Sequence, residues 1–251
     1  AKLLEGEVDT SMLTNTTVTP NGALFRTDKQ GFLPELLEEM YDQRVLFKNK
    51  MIEKQKELET IDKNDLVKRK ECEYEIVKYN NNQMVRKISL NSCYGALGNQ
   101  YFRYFNREIA EGITTSGQLS IKWVERAVNQ FLNKLLETDK DYVVAIDTDS
   151  IYVTFEDLVE RVKPKNPVDF LDTIAKEKLE PMINSNYEEL SSYMNAYQNK
   201  MEMGREVIAD KGIWTAKKRY ILNVHDSEGV RYNTPKLKMM GIETAKSSTP
   251  M

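Results

Sequence analysis

Apolar positions recur along this chain with two periods. From about Leu33 to Leu58, the residues Leu36, Leu37, Met40, Val45, Phe47 and Met51 supply helical apolar positions, and Pro34 sits where a first-turn proline is tolerated. A second helical pattern runs from about Leu66 to Leu97, after a polar turn at Ile61–Asp65. Two long helices on a short loop predict an antiparallel hairpin, and their polar middles predict that it projects into solvent. A third helix is expected over about Arg107–Leu136, with Ile113, Ile121, Val124, Val128, Phe131 and Leu135 inward. The period then changes. Tyr142–Phe155 holds two apolar, β-branched runs around Asp147-Thr148-Asp149, a pattern that predicts a hairpin buried on at least one side.

The remaining pattern is weaker. Residues 1–30 are rich in turn formers, with Pro20-Asn21-Gly22 the strongest signal, and Tyr101–Phe105 is a short aromatic segment. Pro164 and Pro167 mark a loop before helices over roughly Val168–Leu179 and Met182–Asn195. Arg205–Asp210 reads as a strand, and Lys218–Val224 with Gly229–Tyr232 as a hairpin around Asp226-Ser-Glu-Gly. No internal repeat is present. The expected class is α+β: an antiparallel sheet backed by helices, with a protruding two-helix arm.

Composition narrows the function. With 251 residues the chain makes one large domain or two small ones, and 40% hydrophobic with 30% charged residues gives a real core under a heavily solvated surface. A net charge of −3 gives nucleic-acid binding no bulk support, so that case rests on local clusters. Two cysteines, Cys72 and Cys93, make no disulfide framework and point to a reducing compartment, the cytoplasm. No apolar run reaches the roughly 18 residues of a membrane helix, no signal-peptide pattern opens the chain, and a soluble protein is expected. Lys246–Met251 has the look of a linker.

The acidic hairpin carries the clearest chemistry. Burying two carboxylates at its tip is costly unless a positive group meets them, and a hard divalent cation with oxygen ligands does so. On the second long helix, Lys87, Asn91 and Tyr94 are spaced i, i+4, i+7 and share one stripe, with Gly95 beside them. A point charge, an amide and an aromatic face suit a phosphate and a flat base. Arg44 and Lys48 share a face of the first helix, and two or three cations hold a triphosphate well. Taken singly, each feature also has a plain structural reading. Arg44 and Lys48 fit a solvated face, Tyr94 a packing residue, Asp147 and Asp149 ordinary turn chemistry, Lys217–Tyr220 a charged edge strand, and Cys93 a small buried hydrophobe. His225, in an expected turn, has no assigned role.

Order and co-occurrence favour the functional reading. Lys87-Ile-Ser-Leu-Asn91-Ser-Cys-Tyr94-Gly95 resembles the fingers motif Lys-x-x-x-Asn-Ser-x-Tyr-Gly of family B DNA polymerases. Asp147-Thr148-Asp149-Ser150 resembles their palm motif, and Lys217-Lys218-Arg219-Tyr220 their Lys-Lys-x-Tyr motif. The flanking sequence is most similar to the T-even phage branch of that family. The resemblance implies that Asp149 ligates two catalytic Mg2+ ions, with Asp147 beside it and Glu206 nearby. It implies that Arg44, Lys48 and Lys87 grip the triphosphate of a dNTP, that Asn91 supports the grip, and that Tyr94 and Gly95 pack under the nascent base pair. Lys217, Lys218 and Tyr220 would meet primer–template DNA. The implied divisions are a palm-linked segment over 1–30, a fingers hairpin over 31–98 and palm over 99–251, in the cytoplasm of a host cell.

The chain departs from the family pattern in one respect. It contains no Ser-Leu-Tyr-Pro segment, which in the family carries the other metal-binding aspartate, and no exonuclease or thumb motifs. The expectation is a palm-and-fingers portion, either a natural part of a split polymerase or a shortened chain, inactive without a companion chain that supplies the rest. Two other readings compete: a non-catalytic nucleotide- or DNA-binding subunit, and a coiled-coil interaction arm over residues 33–97. Against the arm, the apolar positions do not keep heptad spacing.

Overall fold

The computed structural model describes residues 2–243, so the linker-like Lys246–Met251 lies outside them. The chain divides into two compact units: Ala1–Gly31 with Cys93–Gly204, and Phe32–Ser92 with Arg205–Met251. Helices and antiparallel sheets are both present, which makes the class α+β. Where one sheet was expected there are separate ones: β1 (Thr16–Val18) with β2 (Leu24–Arg26), β3 (Val143–Asp147) with β4 (Ser150–Val153), and β5 (Val207–Ala216), β6 (Arg219–Ser227) and β7 (Val230–Met240). Among the described residues no helix is long and apolar enough to cross a membrane.

The first unit is organised by α3 (Arg107–Leu136). The Asn106 side chain caps its start by accepting from the Ile109 N–H at 3.0 Å, and Glu137 closes it in the left-handed region. Val124, Val128, Leu132 and Leu136 form its buried stripe, packed with Tyr142 and Val143 of the acidic hairpin and with Ile183 and Tyr187 of α6 (Glu180–Tyr193). The stripe differs from expectation at two places. Leu135 falls one position off it and is exposed, as is Ile113. Beside Ile113 it is Gly112 that is buried, facing Thr19, Asn21 and Phe25 of the β1–β2 hairpin. That hairpin turns at Pro20–Gly22 as its residues demand, and the Asn195 amide at the end of α6 donates to the Leu13 and Thr16 carbonyls. A helix not foreseen, α4 (Glu156–Val162), follows the acidic hairpin. The helix α5 (Pro167–Ile174), capped by Asn166, passes through a π-helical turn at Ala175–Leu179 into α6.

In the second unit α1 (Phe32–Thr60) descends as α2 (Leu66–Leu97) climbs. The Cys72 thiol donates to the Lys54 carbonyl at 3.1 Å, Phe47 meets Tyr79, and the Arg86 guanidinium lies over Phe47 and donates to Gln43. No residue of α1 is buried, as a solvent-facing arm requires. Yet α1 is not isolated, because it runs along β7, with Lys236 paired to Glu59 and Lys48 to Glu228. The units therefore cut across the expected divisions: residues 205 onward join the helical hairpin.

Candidate functional site

The acidic turn is the tightest piece of the candidate site. Asp147 pairs with Ser150 across β3–β4, Thr148 takes φ 58°, and the Asp149 N–H donates to the Asp147 carbonyl at 2.7 Å. Both carboxylates therefore emerge from one two-residue bend. The expectation of burial is corrected here: Asp149 is exposed and Asp147 only half-buried, because the hairpin packs one face on the core and turns Val144 outward. Among the described residues their side chains accept only from neighbouring hydroxyls, Thr148 Oγ1 at 3.2 Å and Ser150 Oγ at 3.4 Å. Among the described residues no lysine or arginine forms an ion pair with either acid. Burial pushes the Tyr187 phenol above its ordinary pKa, and the charge of Asp149 adds to the effect. Two carboxylates free of cations, with backbone carbonyls beside them, are the hard oxygen donors a Mg2+ ion takes. They are an incomplete set. Among the described residues no group of three or more His, Cys, Asp or Glu is gathered as a metal site.

Glu206, the third acid, stands exposed at the head of β5, and its carbonyl accepts from the Glu228 N–H at 2.6 Å. In the same unit, Arg44 and Lys48 are half-buried on α1 while Lys87 and Asn91 are exposed on α2. The Arg86 side chain donates to Gln43, which sets the Lys87 stretch of α2 alongside the Arg44 stretch of α1. Arg44 Nε is buried with no hydrogen-bond partner, whereas Lys48 is taken by Glu228 at the β6–β7 turn. No local pattern announces that ion pair, whose partners are far apart along the chain.

Tyr94 and Gly95 belong to the first unit. Tyr94 is 41% exposed, and the space beside Gly95 is open: a Cβ there would meet nothing within 4 Å. Tyr94 lines a shallow cavity of about 400 Å3 together with Phe105, Arg107, Glu111 and Thr114. Arg107 and Glu111 were not singled out from the sequence, since a charged first turn is ordinary helix chemistry.

The Lys217-Lys218 pair forms the turn between β5 and β6, not part of an edge strand. Lys218 has φ 63°, and both side chains are exposed. Tyr220, expected to touch DNA, is buried at 5% exposure with its ring against Trp214 at 6.2 Å, so it supports the turn from within the sheet. His225 lies in β6, its Nε2 3.4 Å from Asp210. Cys93 is only half-buried.

The sequence profile of DNA polymerase family B matches residues 2–248. The chain is 37% identical over 284 residues to the DNA-directed DNA polymerase of Enterobacteria phage T4 and 38% identical over 282 residues to that of Escherichia phage RB69. Each alignment covers 92% of this chain and 31% of the relative, so the chain spans about a third of the length of these relatives. DNA polymerase 1 of Pyrococcus abyssi is 29% identical over 209 residues, 83% of this chain and 21% of that protein.

Proposed function

The chain belongs to DNA polymerase family B, and from that premise we propose that it supplies palm and fingers for template-directed transfer of a nucleotide from dNTP to a primer 3′-hydroxyl. The observation that carries this reading is the pair of acids on one bend, Asp147 and Asp149, with no cation against them among the described residues. Mg2+ ions held by Asp149 and Asp147 would neutralise charge on the attacking and leaving oxygens, and Glu206 is the third acid the resemblance assigns to them. Lys87 and Arg44 hold the triphosphate, and the unpaired Arg44 Nε is a donor suited to a phosphate oxygen. Lys48 joins them by exchanging the Glu228 carboxylate for phosphate. Asn91 steadies the grip, Tyr94 and Gly95 offer a flat face and open space to the nascent base pair, and the Lys217-Lys218 turn meets the primer–template backbone.

The missing Ser-Leu-Tyr-Pro segment favours a corollary: the 251-residue chain alone does not extend a primer, and a companion chain bearing that segment restores extension. The test is primer extension with dNTPs and Mg2+, with and without such a companion. In the restored assay Asp149→Ala lowers extension by about 10²–10³-fold or more. The melting curve stays unchanged, since the side chain is exposed. Extension that survives Asp149→Ala would refute the assignment.

A further inference from the structure

Among the described residues, the most deeply buried charge of the second unit lies away from the motif residues. Asp226, at 2% exposure, accepts from Arg205 Nη1 through one carboxylate oxygen, which also takes the Gly229 N–H at 2.9 Å. Its other oxygen accepts from Arg231 Nε at 3.1 Å. A lone carboxylate in such a place is costly, and losing one partner of a buried pair strands the other. This one joins the segment leading into β5, the β6–β7 turn and β7. The same junction is closed by backbone: the Glu228 N–H donates to the Glu206 carbonyl at 2.6 Å, and Val207 pairs with Ser227.

Arg205 is the residue next to Glu206. Both residues immediately precede β5. The Arg205 side chain is 9% exposed and drawn inward by Asp226, while Glu206 is exposed. The direction in which Glu206 leaves the sheet is thus set by where Arg205 is held. We infer that Asp226, through Arg205, is a positioning residue that aims the Glu206 carboxylate. This rests on the proposed reading of Glu206 as one of the acids that serve the metal ions. Arg231 balances the remaining charge on Asp226 and ties β7 to the clamp.

Two measurements test it, on Asp226→Asn and on the milder Arg205→Lys, which keeps the charge but loses the guanidinium fork. The first is amide hydrogen exchange on the chain itself. Exchange at Val207, Ile208 and Glu228 should quicken at least tenfold while the α3 core keeps its protection. Wild-type exchange at those amides overturns the proposal whatever Glu206 does. The second is the Mg2+ concentration for half-maximal primer extension in the enzyme restored with its companion chain. Asp226→Asn and Glu206→Gln should each raise it several-fold, and their combination should raise it no further than Glu206→Gln alone. A merely structural role gives additive effects, or a lower melting temperature at an unchanged Mg2+ requirement, and either overturns the proposal. If Glu206→Gln alone leaves the requirement unchanged, the metal reading of Glu206 fails, and the positioning role in catalysis falls with it. The exchange result would still distinguish that failure from a clamp that does not hold. Should Asp226→Asn not fold, Arg205→Lys decides both measurements.

Discussion

Tyr187 belongs to the same apolar cluster as Val143, Ile146 and Ile151 of the acidic hairpin, and its phenol senses Asp149. Burial is the larger cause of its raised pKa and the Asp149 carboxylate the smaller. A phenol raised above its unfolded value, near 10, favours the folded state fully below about pH 10. That contribution is lost as pH rises through the folded-state value. The chain should therefore lose stability in alkali, and Tyr187→Phe should flatten the loss above pH 10. Asp149→Asn should lower the Tyr187 titration while leaving Tyr187 buried. Tyrosine ring 13C shifts followed across the alkaline range would show this. A Tyr187 titration that does not move in Asp149→Asn means the Asp149 charge is not felt there.

At the scale of elements, the β5–β6 turn depends on a glycine remote in sequence. Gly241 follows β7 at φ +63°, and a Cβ built on it would lie 2.3 Å from the Lys218 carbonyl oxygen. Both the left-handed backbone and the close approach exclude a side chain, so Gly241→Ala should cost about 2 kcal/mol. That lowers the melting temperature by about 4–8 °C for a chain of this size. Gly241→Asn separates the causes, because asparagine tolerates the left-handed region but still brings a Cβ. Equal loss in both variants identifies the contact with Lys218; recovery in the asparagine variant would discard it.

The limits of α2 and α3 were readable because long helices repeat their apolar period many times. α4 was not: seven residues hold too few turns to show a period. The three-residue strands β1 and β2 were read only through their turn. The Lys217-Lys218 turn escaped because its left-handed residue is a lysine, not the glycine or asparagine that marks such bends. The candidate site could be proposed from the sequence where chemistry is local, as at Asp147 and Asp149 or Lys87 and Asn91. It was illegible where it depends on ion pairs between distant segments, as with Lys48 and Glu228 or Asp226 and Arg205.

For the molecule as a whole, the formal charge of −3 sets a condition on DNA binding. A net negative body repels a polyanion at long range, so attraction must come from clustered cations close to the phosphates. The exposed Lys217-Lys218 turn, raised on a buried Tyr220, is such a cluster. Each duplex phosphate contact it makes should contribute about 0.9 to the slope of log affinity against log salt concentration. The double variant Lys217→Ala, Lys218→Ala should therefore flatten the slope by roughly 1.8, measured by anisotropy of a labelled primer–template titrated with the chain at several salt concentrations. Bulk charge is controlled by removing two other exposed lysines, Lys63 and Lys165, which changes the net charge equally. If the two double variants lose the same slope, the molecule answers to its total charge and the turn has no special claim on DNA. A loss confined to Lys217 and Lys218 fixes the contact to the turn, because only charges within a Debye length of about 8 Å of the phosphates hold their attraction at physiological salt.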